Sequence, residues 1–216
     1  MAIIHKATLT PTKIELLEAW LAGRAWLPDA EVKGLERVAA CRFDDPAGEV
    51  GIEMIIVRAG DGPLVHVPLT YRGAPLDDAE HWLVGTTEHS VLGTRWVYDA
   101  VGDPVYLAAL VEAVRTGGAQ ADEMVETESG PQQRTPDMTV HGTGHATAGA
   151  PAGPLVRVED GDPAVVVTDE VRVTVRRVLS DQPAEESLAL LGEWPELAAP
   201  AVLATVVSSG LPGSPS

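Results

Sequence analysis

Few residue clusters in this chain have the types and spacing that chemistry needs. His141-Gly-Thr-Gly-His145 sets two imidazoles four residues apart, the spacing that shares a metal on a helix. The intervening glycines oppose a helix and no acidic third ligand lies close by, so a loop is expected and no metal or other cofactor is assigned. Gly142-Thr143-Gly144 has the look of a phosphate-binding turn. It lacks the Gly-Lys-Ser/Thr ending and the full GxGxxG spacing, so a plain turn is expected. Glu88-His89-Ser90 holds the residue types of a hydrolase. Adjacency alone does not build a triad and there is no GxSxG elbow. His89 is therefore expected to be a hydrogen-bonded structural group or part of a binding surface. His81, Asp99 and Asp103 complete the set that an unrelated enzyme chemistry would use, and no spacing joins them. Five tryptophans accompany a single phenylalanine. Trp20 and Trp96 lie in apolar periodic segments, where core packing is the expectation. If the chain binds a ligand, the face carrying Trp82, His89 and Trp96 is the expected place.

The composition narrows the function classes. The 216 residues include 15 basic and 32 acidic side chains, a formal net charge of −17. Nucleic-acid partners and anionic membrane surfaces both call for Lys/Arg stripes, so neither is expected. The acidity is read as solubility. The single cysteine, Cys41, leaves no intrachain disulfide and no cysteine zinc site. Its apolar neighbours predict a buried small hydrophobe. No signal-peptide core and no run of ~18 apolar residues is present, so a cytoplasmic location is expected.

The elements that must position these residues follow from periodicity. Thr10-Pro11, or Thr12 with Glu15 at capping-box spacing, starts a helix. Ile14, Leu17, Trp20 and Leu21 give that helix an apolar face, and Pro28 stops it. Strands are expected over 37–43, 50–57, 64–70 and 81–86, with a hairpin turn at Ala59-Gly60-Asp61-Gly62. Asp103 as N-cap and Pro104 at the first helical position predict a helix to Arg115. The polar stretch 117–137 reads as a linker or loop. Beyond it, strands are expected at 155–158, 164–168, 171–177 and 201–207, with a short helix at 183–191.

Two stretches carry a resemblance. Leu16-Leu17-Glu18-Ala19-Trp20-Leu21 is followed by Arg24-Ala25-Trp26. Gly85-Thr86-Thr87-Glu88-His89 is followed by Val97-Tyr98-Asp99-Ala100-Val101-Gly102-Asp103-Pro104. Together, over about residues 5–115, they resemble the N-terminal cap domain of actinobacterial maltokinases and related aminosugar kinases. Downstream, Asp169 to Arg177 looks similar to the kinase N-lobe hairpin that carries the nucleotide-binding lysine. The resemblance places Thr174 at the lysine position and sets Glu185 in a segment like the helix that supplies the partner glutamate. Threonine offers no ammonium to phosphates. The chain also lacks the catalytic-loop and metal-binding motifs that phosphoryl transfer needs.

The resulting expectation is an α+β protein. An antiparallel sheet with packed helices forms a cap-like domain at 1–116 and a linker or loop spans 117–137. A small β-rich, degenerate N-lobe-like part follows at 138–207, then a disordered tail at 208–216. Its expected role is non-catalytic: an interaction or regulatory protein partnered with a sugar kinase or another glucan-, maltose- or trehalose-metabolism enzyme. A sugar- or nucleotide-binding protein without catalysis is the alternative.

Overall fold

A computed structural model describes residues 2–4, 7–27, 32–127, 130–147, 151–180 and 187–209. The chain opens with two short strands, β1 (Ala2–Ile4) and β2 (Leu9–Thr10), then α1 (Lys13–Leu21). The strands β3 (Leu35–Phe43), β4 (Gly51–Ala59) and β5 (Val65–Arg72) follow. A 3-10 turn (Glu80–Trp82) leads to β6 (Leu83–His89) and β7 (Gly93–Asp99). After a second 3-10 turn (Ala100–Gly102) comes α2 (Pro104–Thr116). The remainder is β8 (Glu123–Thr127), β9 (Gly130–Arg134), β10 (Thr139–Gly142), β11 (Leu155–Glu159), β12 (Ala164–Thr168), β13 (Val171–Val175), β14 (Leu188–Glu193) and β15 (Ala201–Ser208). The α+β class expected from the sequence is what the structure shows.

Two six-stranded antiparallel sheets dominate, in the orders β2-β6-β7-β5-β4-β3 and β10-β14-β15-β13-β12-β11. A small third sheet has the order β1-β8-β9, with β1 parallel to β8. The first sheet is covered on both faces. On one, Leu17, Trp20 and Leu21 of α1 pack on Ala40, Ile55, Val57, Val67 and Val97. On the other, Cys41, Met54 and Ile56 share a core with Tyr106, Leu110 and Val114 of α2 and with Val166, Val173, Val175 and Val206 of the second sheet. One continuous core thus spans both sheets, with α2 between them. This explains the unbroken burial of Ile52 to Val57, which does not alternate as a half-exposed strand would.

Both helix starts follow their local signals. Thr12, not Thr10, caps α1 in a reciprocal capping box with Glu15. Asp103 caps α2 ahead of Pro104.

Several segments differ from the sequence expectation, among them His81 and Trp82, which lie in the 3-10 turn ahead of β6 rather than in a strand. The stretch 117–137 holds the hairpin β8–β9, whose low apolar content hides it from periodicity. Of the helix expected over 183–191, Leu188 to Leu191 instead belong to β14, paired with β15. Leu190 and Ala189 are buried there, so tertiary pairing overrides the helical propensity of the Leu-Ala run. Residues 181–186, including Glu185, lie outside the described residues. Ser208, expected in the tail, ends β15, and 210–216 are likewise outside.

The second sheet also completes the first. β7 pairs with β5 only over 69–72, and residues 177–179 take up the free edge of β5. The His66 N–H donates to the Arg177 carbonyl at 2.7 Å and the Leu179 N–H to the Leu64 carbonyl at 2.9 Å. Here Arg177, fully buried, donates from Nη2 to the equally buried Asp99. Its guanidinium lies 5.3 Å from the centre of the Trp26 ring. Burial raises the Asp99 carboxyl above its ordinary range, against the opposing pull of Arg177.

Asp99→Asn leaves a buried guanidinium without its counter-charge and costs about 3–5 kcal/mol. The double change Asp99→Leu with Arg177→Met recovers much of that loss, as read by urea denaturation. His66 is fully buried, and burial lowers its pKa to about 4 from 6.5. Between these values the unfolded chain binds a proton that the fold refuses. The contribution is whole above pH 6.5 and is lost as pH falls toward 4, amounting to about 3 kcal/mol. Denaturation midpoints for His66→Asn should fall less steeply over that window than those of the parent.

Candidate functional site

Helix α1 has nine residues and β4 also has nine. At ~1.5 Å per helical residue against ~3.3 Å per strand residue, the helix covers under half of the strand's length. It lies over Ile55 and Val57 and leaves the Gly51–Glu53 end of the same face uncovered. The uncovered end is a cavity of about 750 Å³, bordered by Leu9, Lys13, Arg42, Glu53, Tyr71, His89 and Arg95 among others.

Strand register explains why these side chains meet. Arg42 is opposite Glu53, Gly51 is opposite Tyr71, and Tyr71 is opposite Val97, two residues beyond Arg95. The centre of the floor is Glu53, 5% exposed. Lys13 Nζ donates to its two carboxylate oxygens at 2.7 and 2.6 Å, and the Tyr71 hydroxyl donates to Oε2 at 2.7 Å. Burial works to raise the Glu53 pKa, but Lys13, Arg42 and the two hydrogen bonds outweigh it and hold the carboxyl below its usual range. Burial and then Glu53 push the Tyr71 phenol well up, so it stays a proton donor.

The residues singled out from sequence scatter. His89 reaches the cavity wall, where its Nδ1 accepts the N–H groups of Val91 and Leu92 at 3.2 and 3.1 Å. That fixes Nδ1 as unprotonated in the neutral ring. Neither Trp82 nor Trp96 lines the cavity. Trp82 lies against Gly102, where an added Cβ would fall 2.2 Å from the indole, and packs on the shared core. Trp96 is half-buried on β7, opposite Thr86 and Arg72.

Glu88 and Ser90 have partners of their own, Thr94 and the Thr8 N–H, and build no triad with His89. Asp103 is fully buried and saturated: Arg72 grips it twice at 2.7 Å, Thr70 donates at 2.8 Å and the Val105 N–H at 2.9 Å. Thr174 is half-buried between Val165 and Thr205 of its neighbouring strands.

Gly142-Thr143-Gly144 serves the C-terminus of α2. Added Cβ atoms would fall 1.9 Å from the Ala113 carbonyl oxygen and 2.1 Å from that of Arg115. The Gly144 N–H donates to the Val114 carbonyl at 2.9 Å. This is the negative end of the helix, which repels phosphate. Among the described residues no group of three or more His, Cys, Asp or Glu is placed to hold a metal.

Sequence reasoning missed Lys13, Arg42, Glu53, Tyr71 and Arg95. One signal was available: Glu53 is the only charge in the apolar run Ile52 to Val57, and a carboxylate in a strand buried on both faces needs a cation beside it.

Residues 20–103 match the family model of the maltokinase N-terminal cap domain. The match takes in β3 to β7 and the Arg42, Glu53, Tyr71, His89 and Arg95 part of the cavity. It stops before α2 and the second sheet. The chain therefore carries a maltokinase-like cap domain over less than half its length, and the comparisons show no kinase N-lobe. No curated protein matches the chain. No helix of the described residues is long and apolar enough to cross a membrane.

Lys13→Met should cost about 1–3 kcal/mol at pH 7, because Glu53 then keeps its charge without the ammonium. The penalty shrinks as pH is lowered and Glu53 takes up a proton. Denaturation of both proteins at pH 7 and at about pH 3, below the ordinary glutamate value of 4.5, checks this, and an equal penalty at the two values would remove Glu53 as its cause.

Proposed function

We propose that this chain is a non-catalytic binding protein that holds a small polar molecule in the cavity beside α1. The observation that carries this reading is the cavity itself: about 750 Å³, floored by a buried, neutralised Glu53 and walled by polar groups of both kinds. Such a volume and such convergent polar groups are those of small-molecule sites. Glu53 is tied to Lys13 and Tyr71, and His89 has its Nδ1 bound to backbone, so the arrangement positions a ligand rather than activating one.

A second reading is favoured by the match to the maltokinase cap model. Here the chain is an interaction or regulatory module for a sugar kinase or another cytoplasmic enzyme of glucan, maltose or trehalose metabolism, with the second sheet as a degenerate N-lobe. Co-elution of the purified chain with a maltokinase supports that role, and separate elution of the two counts against it.

Thermal-shift measurements with glucose, maltose, trehalose, pyrophosphate, citrate and Mg·ATP test the first reading. A ligand at ~100 times its Kd stabilises the fold by about 2.7 kcal/mol, a shift of several degrees. At least one compound is expected to do this for the parent chain and to fail for Gly51→Leu, which fills the cavity beside Tyr71. A shift in none of them, or an equal shift in Gly51→Leu, overturns the reading.

A further inference from the structure

The cavity of this strongly acidic chain is bordered by basic and acidic side chains in equal number. Of the 15 Lys and Arg residues, Lys13, Arg37, Arg42, Arg95 and Arg134 border it. Three of these are neutralised by the protein. Lys13 is held by Glu53, Arg37 by Asp137, and Arg134 by Asp137 and Glu123. The acidic groups nearby are likewise used: Asp45 accepts the N–H groups of Ala47, Glu49 and Val50 at 2.9 to 3.0 Å. Asp44 and Glu49 are exposed at the rim.

Two guanidiniums remain without a direct ion pair among the described residues. Arg42 makes no ion pair or side-chain hydrogen bond among the described residues, although its strand partner Glu53 lies opposite it. Arg95 donates only to the Leu92 carbonyl at 2.7 Å, and its buried Nε has no partner. In a chain with twice as many acids as bases, a surface arginine meets a carboxylate easily. Two arginines without an ion pair on one cavity, over a floor carboxylate already hydrogen-bonded by Lys13 and Tyr71, offer N–H donors to an incoming anion. Guanidinium is the side chain whose planar fork best fits carboxylate and phosphate oxygens.

We propose that the cavity receives the anionic group of a small molecule, a carboxylate or a phosphate, on Arg42 and Arg95. This rests on the binding role given above and adds the charge class of the ligand. Arg42 is on β3 and Arg95 on β7, with β4 and β5 between them. At ~4.8 Å per strand spacing the two backbones stand about 14 Å apart across the sheet, so a ligand engaging both is polyanionic or elongated. The matched cap model includes both positions.

Isothermal titration at low salt with pyrophosphate, citrate and maltose tests the proposal. Binding of an anion, weakened at least tenfold in Arg42→Gln and in Arg95→Gln and unchanged in the remote Arg58→Gln, is the expected result. Cooperative melting of the three variants confirms that they fold, with Arg42→Gln melting somewhat lower because Glu53 loses a neighbouring cation. Raising the salt concentration should weaken anion binding further. If maltose binds and the anions do not, the charge class is overturned while the binding role stands. If anions bind equally well to the Gln variants, the two arginines are not the receptor and the proposal fails. If none of the three binds, this proposal falls, and the wider ligand panel decides the binding role.

Discussion

The fold turns on one buried ion pair. Arg177 and Asp99 are both fully buried, one from the strand leaving the second sheet, the other from the end of the first. Removing two charges from water costs several kcal/mol per ion; Arg177 offsets this through one contact to Asp99 and through the Trp26 ring, while its Nε and Nη1 have no partner among the described residues. Neither sheet can satisfy its member alone. The pair therefore requires the sheets to meet in one register, and the backbone bonds of 177–179 to the open edge of β5 follow from the same approach. Helix α2 then lies in the shared core, fixed by Asp103 at its start and by the close backbone of Gly142 and Gly144 at its end.

A second constraint is the mismatch in length between a helix and a strand with the same number of residues. Helix α1 shields one end of the first sheet's outer face and leaves the other open. An apolar floor would have invited aggregation there. The chain instead places Glu53 in the floor and surrounds it with Lys13, Tyr71 and Arg42. The two faces of one sheet thus carry different tasks: a sealed core towards α2, and a polar cavity beside α1.

The acidic residues of the cap-like segment 97–104 show how a motif can be conspicuous for structural reasons. Asp99 anchors the second sheet, and Asp103 ties Arg72 and Thr70 of β5 to the start of α2. Both carboxylates are spent on holding strand, turn and helix together. The likeness of this segment to maltokinase caps is therefore a likeness of architecture. Arg42 and Arg95 of the cavity lie in the same matched region but outside the motif.

Local signals determined much of this protein. Thr12 with Glu15 and Asp103 with Pro104 set the helix starts, because capping needs only residues within one turn. Apolar runs marked β3, β4, β5, β12, β13 and β15, because buried strands must be apolar whatever they pack on. What tertiary structure decided is everything that depends on long-range pairing. The Leu188–Leu191 segment is a strand because β15 offers it an edge. Gly142-Thr143-Gly144 is a helix-end cradle because α2 stops against it. Lys13, Arg42, Glu53, Tyr71 and Arg95, spread over more than eighty residues of chain, meet because β3, β4, β5 and β7 align them under the end of α1. Periodicity reports which face of an element is buried. It carries no record of which faces meet, and a site built from four strands and a helix end is made of that information alone.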